Sequence, residues 1–395
     1  MASTSANTVK SKQKRIRIFS VAQGFDMPFL IILMLILVVG LVTLFSAGYA
    51  YSYYWNGGDS FYYIKRQLVF ALLGIFAMFV VSTVDYHILH HFAIPLMVVS
   101  YILLGVVLLL PATKGVHRWI RLPGFQFQPS EIAKFTLILL FSHLISINHK
   151  KMKTFTVGFM PFILILGITC GLVFMEPHLS GAILIMSIGV VMMYIGGTRL
   201  IYLLGTFGMG FAAIFYMVII EGYEKDRINV WLDPIKAYVS NSDKAWQTIQ
   251  SLFAIGSGGL MGQGLGNSRQ KHLFLPEPHN DFIFSVICEE LGFIGAILVI
   301  VLFALLIWRG ITIGMKSPDK FGSMLAIGLT VQVGVQAILN IAVVTNSIPN
   351  TGISLPFFSY GGTSLVMLLA QMGVVLAVSR NTVTGESYTN IRQKH

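Results

Sequence analysis

The sequence predicts an all-α polytopic membrane protein: ten transmembrane helices with a large extracytoplasmic loop between helices 7 and 8. Three observations carry that expectation. Of 395 residues, 55% are hydrophobic and 11% charged, and the mean hydropathy is +0.76, beyond what a soluble globular surface carries. Apolar runs of about 20 residues, each able to cross a hydrocarbon core of roughly 30 Å, alternate with short polar or glycine-containing breaks. Basic residues gather at alternate breaks, as the positive-inside rule requires.

The elements follow in order. A basic tail, 1–24, holds "KSKQKRIR" (10–17) and marks the cytoplasmic side. The first span has the length and flanks of a permanent helix rather than of a cleaved signal peptide. Spans are expected near 27–47, 66–84, 92–111, 130–147, 156–175, 180–196, 200–220, 282–308, 322–344 and 362–379, making a membrane domain over 25–380 and a second cytoplasmic tail over 381–395. An even number of spans returns the chain to its starting side. That side receives Lys150, Lys151, Lys153, Arg199, Arg309, Lys316, Lys320 and Arg380. Cys170 and Cys288, the only cysteines, lie inside spans as small apolar residues, so neither a disulfide framework nor a thiolate metal cluster is expected. No nucleic-acid partner is expected either.

The opposite face is not neutral. The short segment "KGVHRWIRLPGFQFQPSE" interleaves Lys114, Arg118 and Arg121 with Trp119, Phe125 and Phe127. Such rings seat at headgroup level while guanidinium groups reach phosphate, which fits either generic headgroup anchoring or capture of a phosphate-bearing substrate. The long segment 221–281 contains Arg227, Arg269 and Lys271. Within it, Trp246, Ile249, Leu252 and Phe253 recur at helical spacing, predicting an amphipathic helix along the interface over about 243–255. The glycines of "GSGGLMGQGLGNSRQKH" lack the ending of a P-loop and fit a close-packed re-entrant loop better than a nucleotide site.

Ionisable groups inside spans default to function. Glu131 and Lys134 in "QPSEIAKF" lie three apart on one helical face, either as an interfacial pair at a helix start or as the lining of a cavity. Glu289 and Glu290 point in different directions and suit buried acceptors. Ser359, in "SLPFFSYGGTS", belongs to a tight turn that is either structural or a cavity wall. "LPEPHNDFIF" (275–284) gathers Glu277, His279 and Asp281 at the mouth of a helix. Pro276 and Pro278 predict an extended segment there, which would put the three side chains on one side as a charged wall.

Three strings, "FQPSEIAKF", "GSGGLMGQGLGNSRQKHLFLPEPHNDFIFSVICEELGFIG" and "LPFFSYGGTSL", resemble the SEDS family (shape, elongation, division and sporulation proteins) over essentially the whole chain. "GLGNSRQKHLFLPE" is similar to the FtsW and SpoVE branch rather than to RodA-type members. The sequence departs from common patterns at "EPHLSG", at "HND" and at "IPNTG".

The resemblance implies a peptidoglycan glycosyltransferase that polymerises lipid II in the bacterial cytoplasmic membrane, in the FtsW case at the division septum. It implies Asp281 as the essential acid and Glu131 and Lys134 as cavity residues. It also implies a class B penicillin-binding transpeptidase, the growing glycan strand and other divisome proteins as partners. The chemistry needs one carboxylate to take the acceptor hydroxyl proton and positive charge on the pyrophosphate leaving group. Arg121, Lys134, Arg227, Arg269, Lys271 or a divalent cation, Mg or Mn, would supply that charge. No organic cofactor is expected. His279 and Ser359 are supporting substrate-binding candidates. A lipid II transporter would use the same basic cavity without Asp281 as base, and a division scaffold would tolerate loss of every polar cavity residue.

Overall fold

The Asp26 side chain caps the first helix, accepting a hydrogen bond from Phe29 N at 3.0 Å. Its carboxylate also takes a two-pronged ion pair from Arg309, 2.8 Å for each prong, and its N–H donates to Ser379 Oγ at 3.2 Å. One short acid thus ties three helices together near the N-terminal tail. The computed structural model describes residues 24–111, 118–122, 125–206, 208, 210, 225–240 and 243–392.

The described helices are α1 (Met27–Trp55), α2 (Tyr62–Thr83), α3 (His87–Leu109), α4 (Pro129–Asn148), α5 (Phe155–Gly158), α6 (Met160–Met175), α7 (Leu179–Gly196), α8 (Lys225–Leu232), α9 (Pro234–Val239), α10 (Asp243–Gly258), α11 (Ile283–Met315), α12 (Lys320–Val344) and α13 (Gly362–Arg392). A hairpin of β1 (Ile120–Leu122) and β2 (Phe125–Phe127) joins α3 to α4, with Ile120 opposite Phe127. Among the described residues nine helical stretches are long and apolar enough to cross a membrane, and they fall on nine of the expected spans. The remaining one, 200–220, lies largely outside the described residues. The protein is a multi-pass helical membrane protein.

Burial ranks the helices. In its most apolar stretch α12 is 72% buried and α2 only 22%, so α12 is the axle of the bundle and α2 a lipid-facing stave. Lipid tails are as apolar as leucine, so helices here associate by close packing rather than by hydrophobic transfer. Small residues permit it: a Cβ on Gly328 of α12 would come within 2.7 Å of Ile138 in α4 and 2.9 Å of Met192 in α7.

The segment 259–271, which follows α10, is the close-packed loop that its glycines predict. Helix α11 breaks at Gly292, whose φ of 66° a side chain would resist. The loop repairs the broken ladder: Gln263 N and Gly264 N donate to the carbonyls of Glu289 and Glu290 at 2.9 and 3.0 Å. In return, Phe293 N donates to Gly259 O at 2.9 Å and Ile294 N to Leu260 O at 3.3 Å. A Cβ on Gly258 would overlap the Cys288 carbonyl.

Helix α10 forms where the spacing predicts a helix. Its buried face, packed on α11, is Ala245, Thr248, Ile249, Ser251 and Ala254; of the apolar stripe Ile249 is buried, Leu252 half-buried, and Trp246 and Phe253 exposed. The stripe straddles the packed and outer faces, and small residues permit the close approach to α11.

Candidate active site

At the end of the bundle that carries Asp281, the helix connections converge. Pro129 and Gln128 start α4, and Glu131 sits in its first turn, where the helix dipole favours an acid. Lys134, one turn on and buried, pairs with Glu131 at 2.8 Å and reaches Gln336 Oε1 on α12 at 3.4 Å. Gln336 Nε2 donates to Ser354 O at 3.0 Å, and Asn340, one turn further along α12, donates to Ile353 O at 2.6 Å and Asp281 O at 2.7 Å. The polar run therefore crosses from α4 through α12 to the start of α11.

The Asp281 side chain is half-buried beside Gly352, where a Cβ would lie 3.2 Å from its Oδ2. Among the described residues no group donates a hydrogen bond to this carboxylate. Burial first, and then the charge of Glu277, push its pKa up to about 6, with Arg118 opposing. A carboxylate free of partners and poised just below neutrality can accept a proton from a hydroxyl.

Arg118 roofs the site. Its Nε donates to Glu176 O at 3.4 Å and its Nη2 to Pro177 O, and Thr363 Oγ1 donates to Gln126 O at 2.9 Å, so the hairpin is fastened on both flanks. Glu176 is fully buried with neither carboxylate oxygen hydrogen-bonded among the described residues, and burial pushes its pKa up to about 8. His178 Nδ1 accepts from Gln128 Nε2 at 3.2 Å, and burial drives its pKa down to about 3, with the charges of Arg118 and Lys134 adding to the shift.

The candidates from sequence separate by position. Asp281, Glu131 and Lys134 come together along the polar run. Arg227 joins them through Asn350, whose carbonyl it reaches at 3.1 Å and whose Oδ1 accepts from Gly352 N at 3.2 Å. Arg121 lies exposed on the hairpin. Lys271 is buried with its ammonium on Glu290 (2.7 Å), Ser46 Oγ (3.0 Å) and Gly266 O (2.6 Å), which occupies all three donors. Arg269 is exposed, while its N–H and that of Gln270 bind Glu289, at 2.8 and 3.3 Å. Glu289 and Glu290 are thus buried acceptors that shape this loop. Ser359 accepts from Leu355 N at 2.8 Å and donates to Asn280 O at 2.7 Å, holding the 355–360 turn against the residue before Asp281.

The extended wall is not formed. Residues 275–281 fold as turns, with Glu277 at φ 47° and accepting from Asn280 Nδ2 at 3.0 Å. His279 turns away from Asp281 into a nest of rings, 4.1 Å from Tyr63 and 5.0 Å from Tyr51 between centroids. Burial pushes its pKa down to about 4, so it is a neutral packing group. Pro276 and Pro278 favour extended backbone at and before themselves, but Glu277 between them is held at positive φ, and that one residue breaks the alternation. Gln336, Asn340 and Glu176 are not among the site residues expected from sequence, and Arg118 is named there only as part of a basic and aromatic segment, because the contacts that join them to the site, Gln336 to Lys134, Asn340 to Asp281 and Arg118 to Glu176, span 58 or more positions. The one available signal is the unusual "EPHLSG" string.

Fold and site together define a multi-pass helical membrane protein in which the Asp281 carboxylate, without a hydrogen-bond partner among the described residues, lies under a cation-bearing roof. The chain belongs to the cell cycle protein family of FtsW, RodA and SpoVE, whose model matches residues 27–384, in agreement with the SEDS resemblance. It is 39% identical over 361 residues to the probable peptidoglycan glycosyltransferase FtsW of Geobacter sp. (strain M18), covering 90% of this chain and 97% of that one. It is also 39% identical over 359 residues to stage V sporulation protein E of Bacillus subtilis (strain 168), with 90% and 97% covered. A chain of a solved structure described as structural coordination of polymerization and crosslinking by a peptidoglycan synthase complex superposes with TM-score 0.76 at 26% identity, covering 91% of this chain and 99% of that one. The crystal structure of Thermus thermophilus rod shape determining protein RodA superposes with TM-score 0.67 at 27% identity, covering 91% and 97%.

Proposed function

We propose that the protein is a peptidoglycan glycosyltransferase that polymerises lipid II into glycan strands on the outer face of the bacterial cytoplasmic membrane, at the division septum. The observation that carries this reading is the Asp281 carboxylate, which has no partner among the described residues and sits at about pH 6 in its titration. The names of the relatives support the reaction type.

Asp281 takes the proton from the C4 hydroxyl of an acceptor GlcNAc as that oxygen attacks the anomeric carbon of the donor MurNAc from the face opposite its pyrophosphate. The new glycosidic bond forms as the bond to pyrophosphate breaks, and the anomeric centre inverts. Arg118, whose charge acts on Asp281, and Arg227, bound to the Asn350 carbonyl, are the cations proposed to balance the departing charge. Lys134 holds Glu131 and Gln336, so it fixes the wall through the α12 amides. Lys271 and His279 lie outside this proposed site.

Among the described residues no three His, Cys, Asp or Glu side chains converge to hold a metal. The protein donors therefore do not by themselves fit a divalent ion, and no step above runs through one. Mg²⁺ or Mn²⁺ is proposed only as an ion entering on the pyrophosphate oxygens, a common way for Mg²⁺ to bind. A class B penicillin-binding transpeptidase and other divisome proteins are the proposed partners.

The test is glycan synthesis from lipid II by the purified protein, alone and with its transpeptidase. Asp281→Ala should be inactive while still folding and binding the partner. Chains of normal length from that variant would remove Asp281 as base. Translocated but unpolymerised lipid II would favour a transporter.

A further inference from the structure

At the end of the bundle that carries Asp281, α1 and α2 present a track of aromatic rings that the site above does not use. Helix α1 spans 29 residues, about 44 Å, and a tilt of about 20° shortens that only to about 41 Å, against a hydrocarbon core of roughly 30 Å. Its Asp26 end is tied to Arg309 and Ser379 on the cytoplasmic side. Its closing stretch, "SAGYAYSYYW" (46–55), exchanges aliphatic residues for four tyrosines and a tryptophan. The surplus length therefore falls at the outer end, at headgroup level and beyond. Tyr53, Tyr54 and Trp55, on three successive positions and so on three sides of the helix, are 60%, 66% and 64% exposed.

The rings are continuous with the site. Centroids step from Tyr54 to Trp55 (5.6 Å), to Tyr51 (6.0 Å) and to His279 (5.0 Å), two residues before Asp281. Tyr63 of α2 stacks on His279 at 4.1 Å. One turn further on, Gln67 holds the 355–361 turn, donating to Ser359 O and accepting from Gly361 N, each at 3.3 Å. Beside this track Lys65 and Arg66 stand exposed at the start of α2. Only residues 56–61 join α1 to α2, and a short outer connection ordinarily sheds lysine and arginine. Two cations kept there against that bias mark a surface that faces anions. Of the acids at this level, Asp59 takes Lys65 at 3.2 Å and Glu277 takes Asn280, while the Arg66 guanidinium sits 4.3 Å from the centroid of the Tyr62 ring, open to solvent.

Rings interleaved with cations suit a sugar polymer with acidic side groups. Pyranose C–H faces lie flat on aromatic rings, Tyr and Trp lose little freedom in holding them, and guanidinium groups meet carboxylates. The strand made from lipid II has that chemistry, since its MurNAc units carry peptides with free carboxylates. Resting on the polymerase reading above, we infer that the outer ends of α1 and α2 bind the glycan strand as it leaves Asp281 and so set how many sugars are joined before release. Pyranose rings lie on Trp55 and Tyr54, and the peptide carboxylates lie at Arg66. A strand held there stays at high effective concentration beside the carboxylate through successive additions. Rings that served only as a headgroup anchor would have no use for continuity with His279.

The experiment uses the full chain with its transpeptidase and compares wild type, the double variant Tyr54→Ala/Trp55→Ala, and Arg66→Gln, with unfolding temperatures equal to wild type as the check on folding. At equal consumption of lipid II, mean strand length on gels should fall about threefold in both variants. A second measurement adds soluble, lipid-free strands to the same chains in nanodiscs of neutral lipid. Removing the two rings should weaken binding about tenfold, and Arg66→Gln should weaken binding only of strands that carry peptides. Unchanged length, or shorter strands without weaker binding, would overturn the inference. Loss of the ring variant from the membrane with strand binding intact would assign the rings to headgroup anchoring and overturn it as well. Absence of polymer from wild-type protein would instead remove the polymerase reading, and binding of the soluble strands would still be readable.

Discussion

Replacing Asp281 with asparagine removes a charge while keeping the shape of the side chain, so activity and stability should move in opposite directions. The carboxyl titrates at about 6 rather than the usual 3.8, chiefly through burial and then through Glu277. The folded chain holds this proton more tightly than the unfolded chain. Stability present below pH 3.8 is therefore lost as pH rises through about 6, and above that the loss is complete. At about 1.4 kcal/mol per pH unit this amounts to at most about 3 kcal/mol, and half-burial trims it to about 1–2 kcal/mol. Asp281→Asn should accordingly unfold at a higher temperature than the wild type at pH 7.5, with the gain shrinking towards pH 4. Loss of a general base removes about 10²–10⁴ of rate. Wild-type polymerisation from lipid II should fall by half near pH 6, whereas the residual rate of the variant should be flat there. The assays are gel-resolved glycan synthesis and thermal unfolding in detergent, both across pH. A variant that polymerises within tenfold of wild type, or that is less stable at neutral pH, would refute the reasoning.

Other consequences are equally measurable. Glu176→Gln should stabilise the protein increasingly from pH 4.5 to about 8 and by a constant amount above, because the buried acid is held protonated up to that point; a pH-independent unfolding temperature difference would count against it. Lys271→Ala should cost about 3–5 kcal/mol by stranding Glu290, and Glu290→Gln in the same chain should recover part of that in a double-mutant unfolding cycle. Arg118→Gln should raise KM for lipid II at least tenfold, with Arg118→Lys recovering little, since a lysine cannot hold two loop carbonyls in one plane. Gly292→Ala should lose folded protein on size-exclusion chromatography, because its Cβ would meet the Gly262 N–H in a backbone conformation that disfavours side chains.

The helices were legible because apolar run length is a property of the chain alone. Asp281 was legible for a similar reason: an acid at the mouth of an apolar helix is costly wherever the chain folds. What surrounds it was not. Lys271 and Arg269 look alike in sequence, yet one is bound by a glutamate 19 positions away and the other is exposed. Arg118 and Arg121 lie three residues apart, yet the first, just before β1, reaches Glu176 O, while the second, paired opposite Gln126 in the hairpin, is exposed. The apolar stripe of α10 was visible, but periodicity does not say that it straddles the packed and outer faces. In a membrane the small-residue face is the one that docks.

The exchange of backbone bonds at Gly292 also bears on how the chain is made. The part of α11 after that residue, 293–315, is by itself long enough to cross a bilayer. Residues 258–266 emerge from the ribosome first and carry unpaired peptide groups until Glu289 to Ile294 arrive. Translocation of the loop and seating of the helix are therefore one event during biogenesis. Insertions placed between 259 and 264 should abort membrane assembly, read as loss of folded protein from the membrane fraction.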